Sequence, residues 1–229
     1  MRVLIACEFS GTVRDAFIAR GHAAVSCDLL PTEKPGPHIQ GDVLEVLNEG
    51  WDMMIAHPPC TYLCSSGLHW NKRVHGREEQ THQAMLFVLN LMGEGFISHD
   101  IPRIALENPV GRIGTAYRKA DQIIQPYQFG HDASKKTCLW LKGLPLLKPT
   151  KQVDPQYGCS CGHRFSLELG KHGCPNCCGE GKARHIWGNQ TPTGQNKLGP
   201  SADRWALRSM TYPGIADAMA AQWGGTCAN

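Results

Sequence analysis

Two short segments carry residues able to do covalent chemistry: His57-Pro58-Pro59-Cys60 and Glu107-Asn108-Pro109. Consecutive prolines remove two backbone donors and stiffen a turn, so Cys60 is presented in a fixed direction, as a nucleophile requires. A thiolate so held can add to carbon 6 of a pyrimidine ring and activate carbon 5 toward an electrophilic methyl group. A glutamate that shares a proton with ring nitrogen 3 makes the ring a better acceptor, and Glu107 is of the right type. Each residue also has a plainer reading. A lone cysteine is more commonly buried and inert, a strand-end glutamate is usually solvated, and Cys64 competes for any reactive role.

A second group suits ligand binding. Glu8-Phe9-Ser10-Gly11 lies between an apolar run and a helix-like stretch. A glycine there lets backbone approach a ligand, and a helix N-terminus favours a carboxylate or phosphate. Asp28 closes a second apolar run and fits an acceptor for ribose hydroxyls. Asp42, in Gln40-Gly41-Asp42-Val43-Leu44, can accept from an adenine amino group. Taken singly, either aspartate is as well explained as a helix cap or a solvated loop residue.

The third group is a cysteine cluster. Cys159, Cys161, Cys174 and Cys177 form a Cys-x-Cys and a Cys-Pro-x-Cys knuckle, with His163 as an alternative ligand and Cys178 adjacent. Four thiolates satisfy tetrahedral zinc and leave no open position, so a structural role is expected. Lys171, His172, Lys182, Arg184 and His185 surround the cluster, followed by Trp187, Lys197 and Arg204. Such a set suits a phosphate backbone as well as it suits a solvated loop.

The elements that must position these groups alternate. Val3–Cys7, Ala23–Cys27, Trp51–His57, Arg103–Leu106 and Thr137–Leu141 have strand character, whereas Thr12–Arg20 and Arg77–Met92 have helical spacing, the latter through Ala84, Phe87, Val88 and Leu91. Alternation of this kind predicts an α/β fold with a parallel-rich sheet covered on both faces. Ligands of such sheets bind outside the carboxyl ends of the strands, where Glu8–Gly11, Asp28, Cys60 and Glu107 all fall. The expected division is a main domain over 1–149, a small insert over 150–200, and a helical return over 201–229.

The 229 residues, 41% hydrophobic, suffice for one substantial core and a small appendage. A net charge of +3 permits a polyanionic partner without requiring one. No apolar run approaches the roughly 20 residues of a membrane span, and the N-terminal apolar stretch is too short for a signal peptide. Eleven cysteines, an odd count with a local cluster, fit a reducing, cytoplasmic compartment better than a disulfide framework.

In order along the chain, these segments resemble the DNA (cytosine-5) methyltransferases, in a short, phage-like form with a zinc-ribbon insert. Phe9-Ser10-Gly11 resembles their Phe-x-Gly cofactor loop, and Asp28 and Asp42 occupy the later acidic positions. Pro58-Pro59-Cys60 with Leu63-Cys64-Ser65-Ser66-Gly67 resembles their Pro-Cys loop, and Glu107-Asn108-Pro109-Val110 their Glu-Asn-Val motif. The resemblance runs from residue 2 to about residue 142 and, more weakly, over about 203 to 223. It implies a Rossmann-like S-adenosylmethionine-dependent methyltransferase sheet. It further implies Cys60 as nucleophile, Glu107 as proton donor to the base, and Lys135 steadying the ring oxygen. Phe9, Ser10, Gly11, Asp28, Leu29, Asp42 and Pro59 would bind S-adenosylmethionine. The implied partner is DNA, as a duplex with a flipped base or as a single strand, met in the cytoplasm of a bacterium or phage-infected host. The insert takes the place of the family's target recognition region.

Two departures stand out. The family's Gln-x-Arg-x-Arg segment falls on Ala133-Ser134-Lys135-Lys136-Thr137, where only Lys135 supplies a cation at a matching position. Tyr212-Pro213-Gly214-Ile215 replaces the late Gly-Asn-Ser-Val segment. Two other readings follow: an exocyclic-amine methyltransferase using His57-Pro58-Pro59-Cys60 as a variant substrate loop, or an inactive zinc-ribbon nucleic-acid-binding protein on a methyltransferase scaffold.

Overall fold

The computed structural model describes residues 1–159, 161–166, 174–177, 184–191 and 196–225. Lys171, His172, Cys178 and Lys182, singled out above, lie outside them. The chain divides into two units.

The first unit comprises Met1–Ile124, Lys136–Lys148 and the chain from Ile215. It is built on β1 (Arg2–Ala6), β2 (Ala23–Asp28), β3 (His38–Gln40), β4 (Met53–Ala56), β5 (Ile104–Pro109), β6 (Gln122–Ile124) and β7 (Thr137–Lys142). They form one sheet in the order β3-β2-β1-β4-β5-β7-β6. All neighbours are parallel through β5, and β7 is antiparallel to both β5 and β6. The fold is α/β with a mostly parallel sheet, as expected. β1 and β4 are unbroken apolar runs, Val3 to Ala6 and Met53 to Ala56, buried throughout as central parallel strands must be.

The chain leaves β1 toward β2 and β3, then crosses to β4 and β5 on the other side. The switch point therefore lies between β1 and β4, where doubly wound sheets open a crevice. Three helical elements bear on this edge. α1 (Thr12–Ile18) packs on β1 and β2, α2 (Ser65–Leu68) follows the Cys60 segment, and α3 (Arg77–Met92) packs on β5. A short α4 (Ile113–Ala116) follows β5.

One expectation changes. β5 runs through Glu107-Asn108-Pro109 instead of stopping at Leu106. Its pairing with β4 does end at Ala56↔Leu106, where the Pro58-Pro59 turn carries β4 away. Its antiparallel pairing with β7 continues, Glu107 opposite Leu139 and Asn108 opposite Cys138. Glu107 thus projects beyond the parallel edge while its backbone stays in the ladder.

The second unit comprises Gln125–Lys135 and Pro149–Gly214. Residues 125–135 pair there with the chain that follows 149. Gly130 donates its amide to the Lys151 carbonyl at 2.8 Å, and Thr150 and Lys151 donate to Gln128. Residues 201–214 stay here too, with α5 (Arg204–Ser209), and α6 (Pro213–Trp223) carries the chain back into the first unit. β8 (Gln156–Gly158), β9 (Arg164–Phe165) and β10 (Arg184–Ile186) make an antiparallel sheet in the order β10-β8-β9.

Candidate active site

A cavity of about 480 Å³ opens at the carboxyl ends of β1, β2 and β4. Cys7, Cys27, Asp28 and Leu29 line it from the first two strands, Gly41, Asp42 and Val43 from the turn after β3, and Pro59 and Tyr62 from the turn after β4. α3 closes it with Glu79, Gln80, Gln83, Ala84 and Phe87. The spacing 80, 83, 84, 87 is one helix face. A neighbouring face, with Met85, Val88, Leu91 and Met92, enters the core. Ala84 and Phe87, whose spacing first marked the helix, line the cavity and also pack against the margin of the core.

The lining is acidic. Asp28, Asp42 and Glu79 are present, and among the described residues no Lys, Arg or His lines it. Burial raises the pKa of Asp28, opposed by the Leu30 amide that donates to its Oδ1 at 2.9 Å. One oxygen of Asp42 caps the following turn, accepting from Leu44 at 3.0 Å. Cys7 stands at φ 58°, a left-handed conformation that side chains other than glycine seldom adopt. Burial first, then the charges of Asp28 and Asp42, push the thiols of Cys7 and Cys27 well up, Cys27 to about 11.

Phe9, Ser10 and Gly11 do not line this cavity. Their loop is organised by Glu8, whose buried carboxylate accepts from the amides of Val13 (2.7 Å) and Arg14 (3.2 Å) and from Ser10 Oγ (3.2 Å). The amides at the start of α1 are thus taken by the chain's own carboxylate. Gly11, at φ 69°, leaves room for the buried Arg14 guanidinium, which a Cβ would meet at 2.4 Å. Arg14 reaches on to Ser26, Thr32 and the carbonyls of Lys34 and Pro35, tying the loop after β2 to the sheet.

Beside the cavity, Cys60 is exposed one residue beyond Pro59. Its carbonyl accepts from Leu63 (3.0 Å) and Cys64 (2.9 Å), closing a tight turn. The chain after β5 holds that turn down: Ser65 donates to Val110, Arg112 donates to Leu63, and Cys64 bridges Gly111. A Cβ on Gly111 would fall 1.9 Å from the Leu63 carbonyl. We expect Gly111→Ala to displace the Cys60 turn and cost about 1–3 kcal/mol of stability, as overpacking does. A lowered urea midpoint checks this, and an unchanged one refutes it. Asn108 adds a further tie, its buried amide donating to the Pro58 carbonyl at 2.8 Å.

Glu107 lies beside this turn, and its Oε2 is 3.1 Å from Nδ1 of His57. Both side chains are largely buried. The register that sets Ala56 opposite Leu106 places His57 next to Glu107. Cys60, Glu107, Asp28, Leu29, Asp42 and Pro59 thus gather in one unit. Lys135 belongs to the second unit, where its ammonium donates to the Arg208 carbonyl at 2.9 Å.

In that second unit the sulfurs of Cys159, Cys161, Cys174 and Cys177 all lie within 4.8 Å of one another. Tetrahedral zinc with Zn–S of about 2.3 Å requires S···S near 3.8 Å, and the Cys159–Cys177 and Cys161–Cys174 separations are 3.5 and 3.6 Å. The Cys161 amide, then the neighbouring thiols, lower the pKa of Cys159 to about 6, favouring the thiolate a metal needs. These four thiols can hold a metal ion. His163 instead stacks on Phe165. Among the other basic and aromatic residues, Trp187 is stacked on Tyr127 at 4.2 Å, and Lys197 donates to the Gly188 carbonyl at 2.6 Å. Arg184 and His185 are exposed.

No family profile matches this sequence. A search of curated proteins finds no relative. Solved structures share a partial likeness. One is a methyltransferase of Entamoeba histolytica, at 13% identity and TM-score 0.46, covering 67% of this chain and 58% of that one. Another is an E. coli prophage protein assigned as a DNA modification methyltransferase, at 12% identity and TM-score 0.43, covering 77% and 56%. The chain thus spans less than two thirds of either structure's length.

Proposed function

We propose that the protein transfers a methyl group from S-adenosylmethionine to carbon 5 of cytosine in DNA, through a covalent adduct on Cys60. The observation that carries this reading is the cavity at the switch point, lined by three carboxylates and, among the described residues, by no cation, with exposed Cys60 one residue beyond its Pro59 wall. In dinucleotide sites of such sheets the pyrophosphate sits on the first helix N-terminus. Here Glu8 holds those amides and three carboxylates line the cavity, an environment hostile to phosphates. It suits a ligand that is itself cationic and rich in hydroxyl and amino donors, as the sulfonium cofactor is. Apolar Leu29, Val43, Ala84 and Phe87 supply walls for a planar base.

When bound, the cofactor supplies an electrophilic methyl group. Asp28 would accept from its ribose hydroxyls, and the oxygen of Asp42 not used in capping would accept from a donor such as the adenine amino group. Phe9, Ser10 and Gly11 would act by shaping the loop that ends on the cavity wall. Cys60 attacks carbon 6 of the cytosine and Glu107 gives a proton to nitrogen 3. The base must be out of its stack to meet them. The four-cysteine module of the second unit, holding structural zinc, binds the DNA phosphates in this reading. The setting is the cytoplasm of a bacterium or an infected host cell.

Incubation with tritiated S-adenosylmethionine and DNA, followed by nucleoside analysis, tests the whole reading. 5-Methylcytosine is expected, and its absence with folded, metal-loaded protein overturns it. Asp28→Ala should raise the cofactor Kd about tenfold, or ~1.4 kcal/mol, as loss of a hydrogen bond to a charged group does. Equilibrium dialysis against labelled cofactor measures it, and an unaltered Kd would remove Asp28 from the site.

A further inference from the structure

We infer that His57 is a positioning residue for the addition step, acting through Glu107; this rests on the cytosine-5 reading above. The pairing of Nδ1 with Glu107 Oε2 at 3.1 Å is one half of the observation. The other half is the opposite ring nitrogen. Nε2 of His57 is buried and has no hydrogen-bond partner among the described residues.

A doubly protonated ring would bury an Nε2–H and a charge without an acceptor for that hydrogen, which is expensive. A neutral ring carrying its proton on Nδ1 leaves only a lone pair unmet. The geometry therefore assigns the Nδ1–H tautomer, donating to Glu107. Proline after residue 57 restricts its backbone to extended conformations, and its amide is held by the Ala6 carbonyl at 2.9 Å. The ring has little freedom to turn away.

The consequence lies in how that bond changes during addition. The Cys60 thiolate forms a bond to carbon 6, and the C5=C6 pair shifts to C4–C5. The C4=N3 pair collects on nitrogen 3, which takes the Glu107 proton, leaving a carboxylate. His57 Nδ1–H then faces an anion where it had faced a neutral acid, and a charge-assisted bond is roughly twice as strong as a neutral one. Stabilisation that grows as the proton leaves lowers the barrier rather than merely binding substrate. When the adduct collapses, the proton returns to Glu107 from nitrogen 3 and the bond relaxes. His57 touches neither base nor cofactor in this scheme.

The test uses the full chain, duplex DNA containing 5-fluorocytosine, and His57→Ala, His57→Asn and His57→Gln. An Asn side chain carries an N–H close to the place of Nδ1, whereas Gln carries one near Nε2. We expect His57→Ala to slow covalent adduct formation about 100-fold, in the range of one lost transition-state donor. The cofactor KM should stay within about threefold, since the cavity lining excludes His57. His57→Asn should recover to within about tenfold of wild type, and His57→Gln should not. Should the Ala variant fail to fold, the Asn and Gln pair alone decides. Equal adduct rates for Ala and wild type, or for Asn and Gln, overturn the inference while leaving the methyltransferase reading intact. A wild-type protein that gives no adduct overturns that reading and this inference with it.

Discussion

Cys60→Ala is expected to reduce methyl transfer to DNA to background, a fall of about 10⁴-fold or more, since the covalent route has no substitute nucleophile. The other thiols of the first unit are poor replacements for physical reasons. Cys7 and Cys27 face the cavity, but burial and the nearby Asp28 and Asp42 hold them protonated. Cys138 is raised too, chiefly by burial. Cys64 is half-buried and shares a contact with Ser66 Oγ at 3.3 Å. Cys60 alone of these five is exposed on the Pro-Pro turn. Cys64→Ala is accordingly expected to keep most of the activity. Because Pro59 and not Cys60 lines the cavity, the cofactor Kd of Cys60→Ala should stay within about threefold. Retained transfer by the Ala variant would instead favour exocyclic-amine chemistry. No transfer by wild type under any substrate would favour a nucleic-acid-binding protein on an inactive scaffold.

What was legible in the sequence was what depends on local pattern. The buried runs Val3–Ala6 and Met53–Ala56 have no polar residue to break them, and α3 keeps its spacing over sixteen residues between two left-handed glycines. β3 and β6, three residues each at the sheet's two edges, were missed because such short strands carry no period. The run through Glu107-Asn108-Pro109 was cut short for a related reason: only an antiparallel partner distant in sequence keeps those residues in a ladder.

The site divides the same way. Asp28, Asp42, Pro59 and Cys60 are legible as candidates because each follows directly on a strand or turn signal; the structure sets the first three in the cavity wall and Cys60 beside it. Tyr62 and the α3 face of Glu79, Gln80 and Gln83 gave no signal, since a cavity wall contributed by a helix looks like an amphipathic surface. The same holds for Glu8, whose carboxylate caps α1 from a position outside the usual N-cap residue, and for the His57–Glu107 pair, which only strand register brings together. Lys135 was taken from an ordered correspondence of segments. The chain at 125–135 joins the second unit, so the correspondence gave its order but not its setting.

Removal of metal should have the second large effect, on the second unit. Its buried hydrophobic cluster about the thiols is Cys159, Phe165 and Cys174, with Tyr157 and Cys177 against it, so the core there is largely the ligand set itself. Three strands of three, two and three residues cannot hold a sheet without such a staple. Zinc bound by four thiolates in zinc-finger peptides contributes roughly 10–16 kcal/mol at neutral pH, and that free energy is folding free energy. We expect one zinc per chain by elemental analysis and its loss in Cys174→Ser. Chelation should open the β8–β10 sheet to protease while the sheet of the first unit, with its own core around Leu4, Met54 and Leu106, keeps its melting transition. The functional readout separates the two units' tasks. If the module positions DNA, zinc-free protein loses DNA affinity by about 1.4 kcal/mol or more, a tenfold rise in Kd, yet binds S-adenosylmethionine as before. Unchanged DNA affinity after demetallation would assign DNA contact elsewhere, and loss of cofactor binding would mean the metal supports the first unit as well.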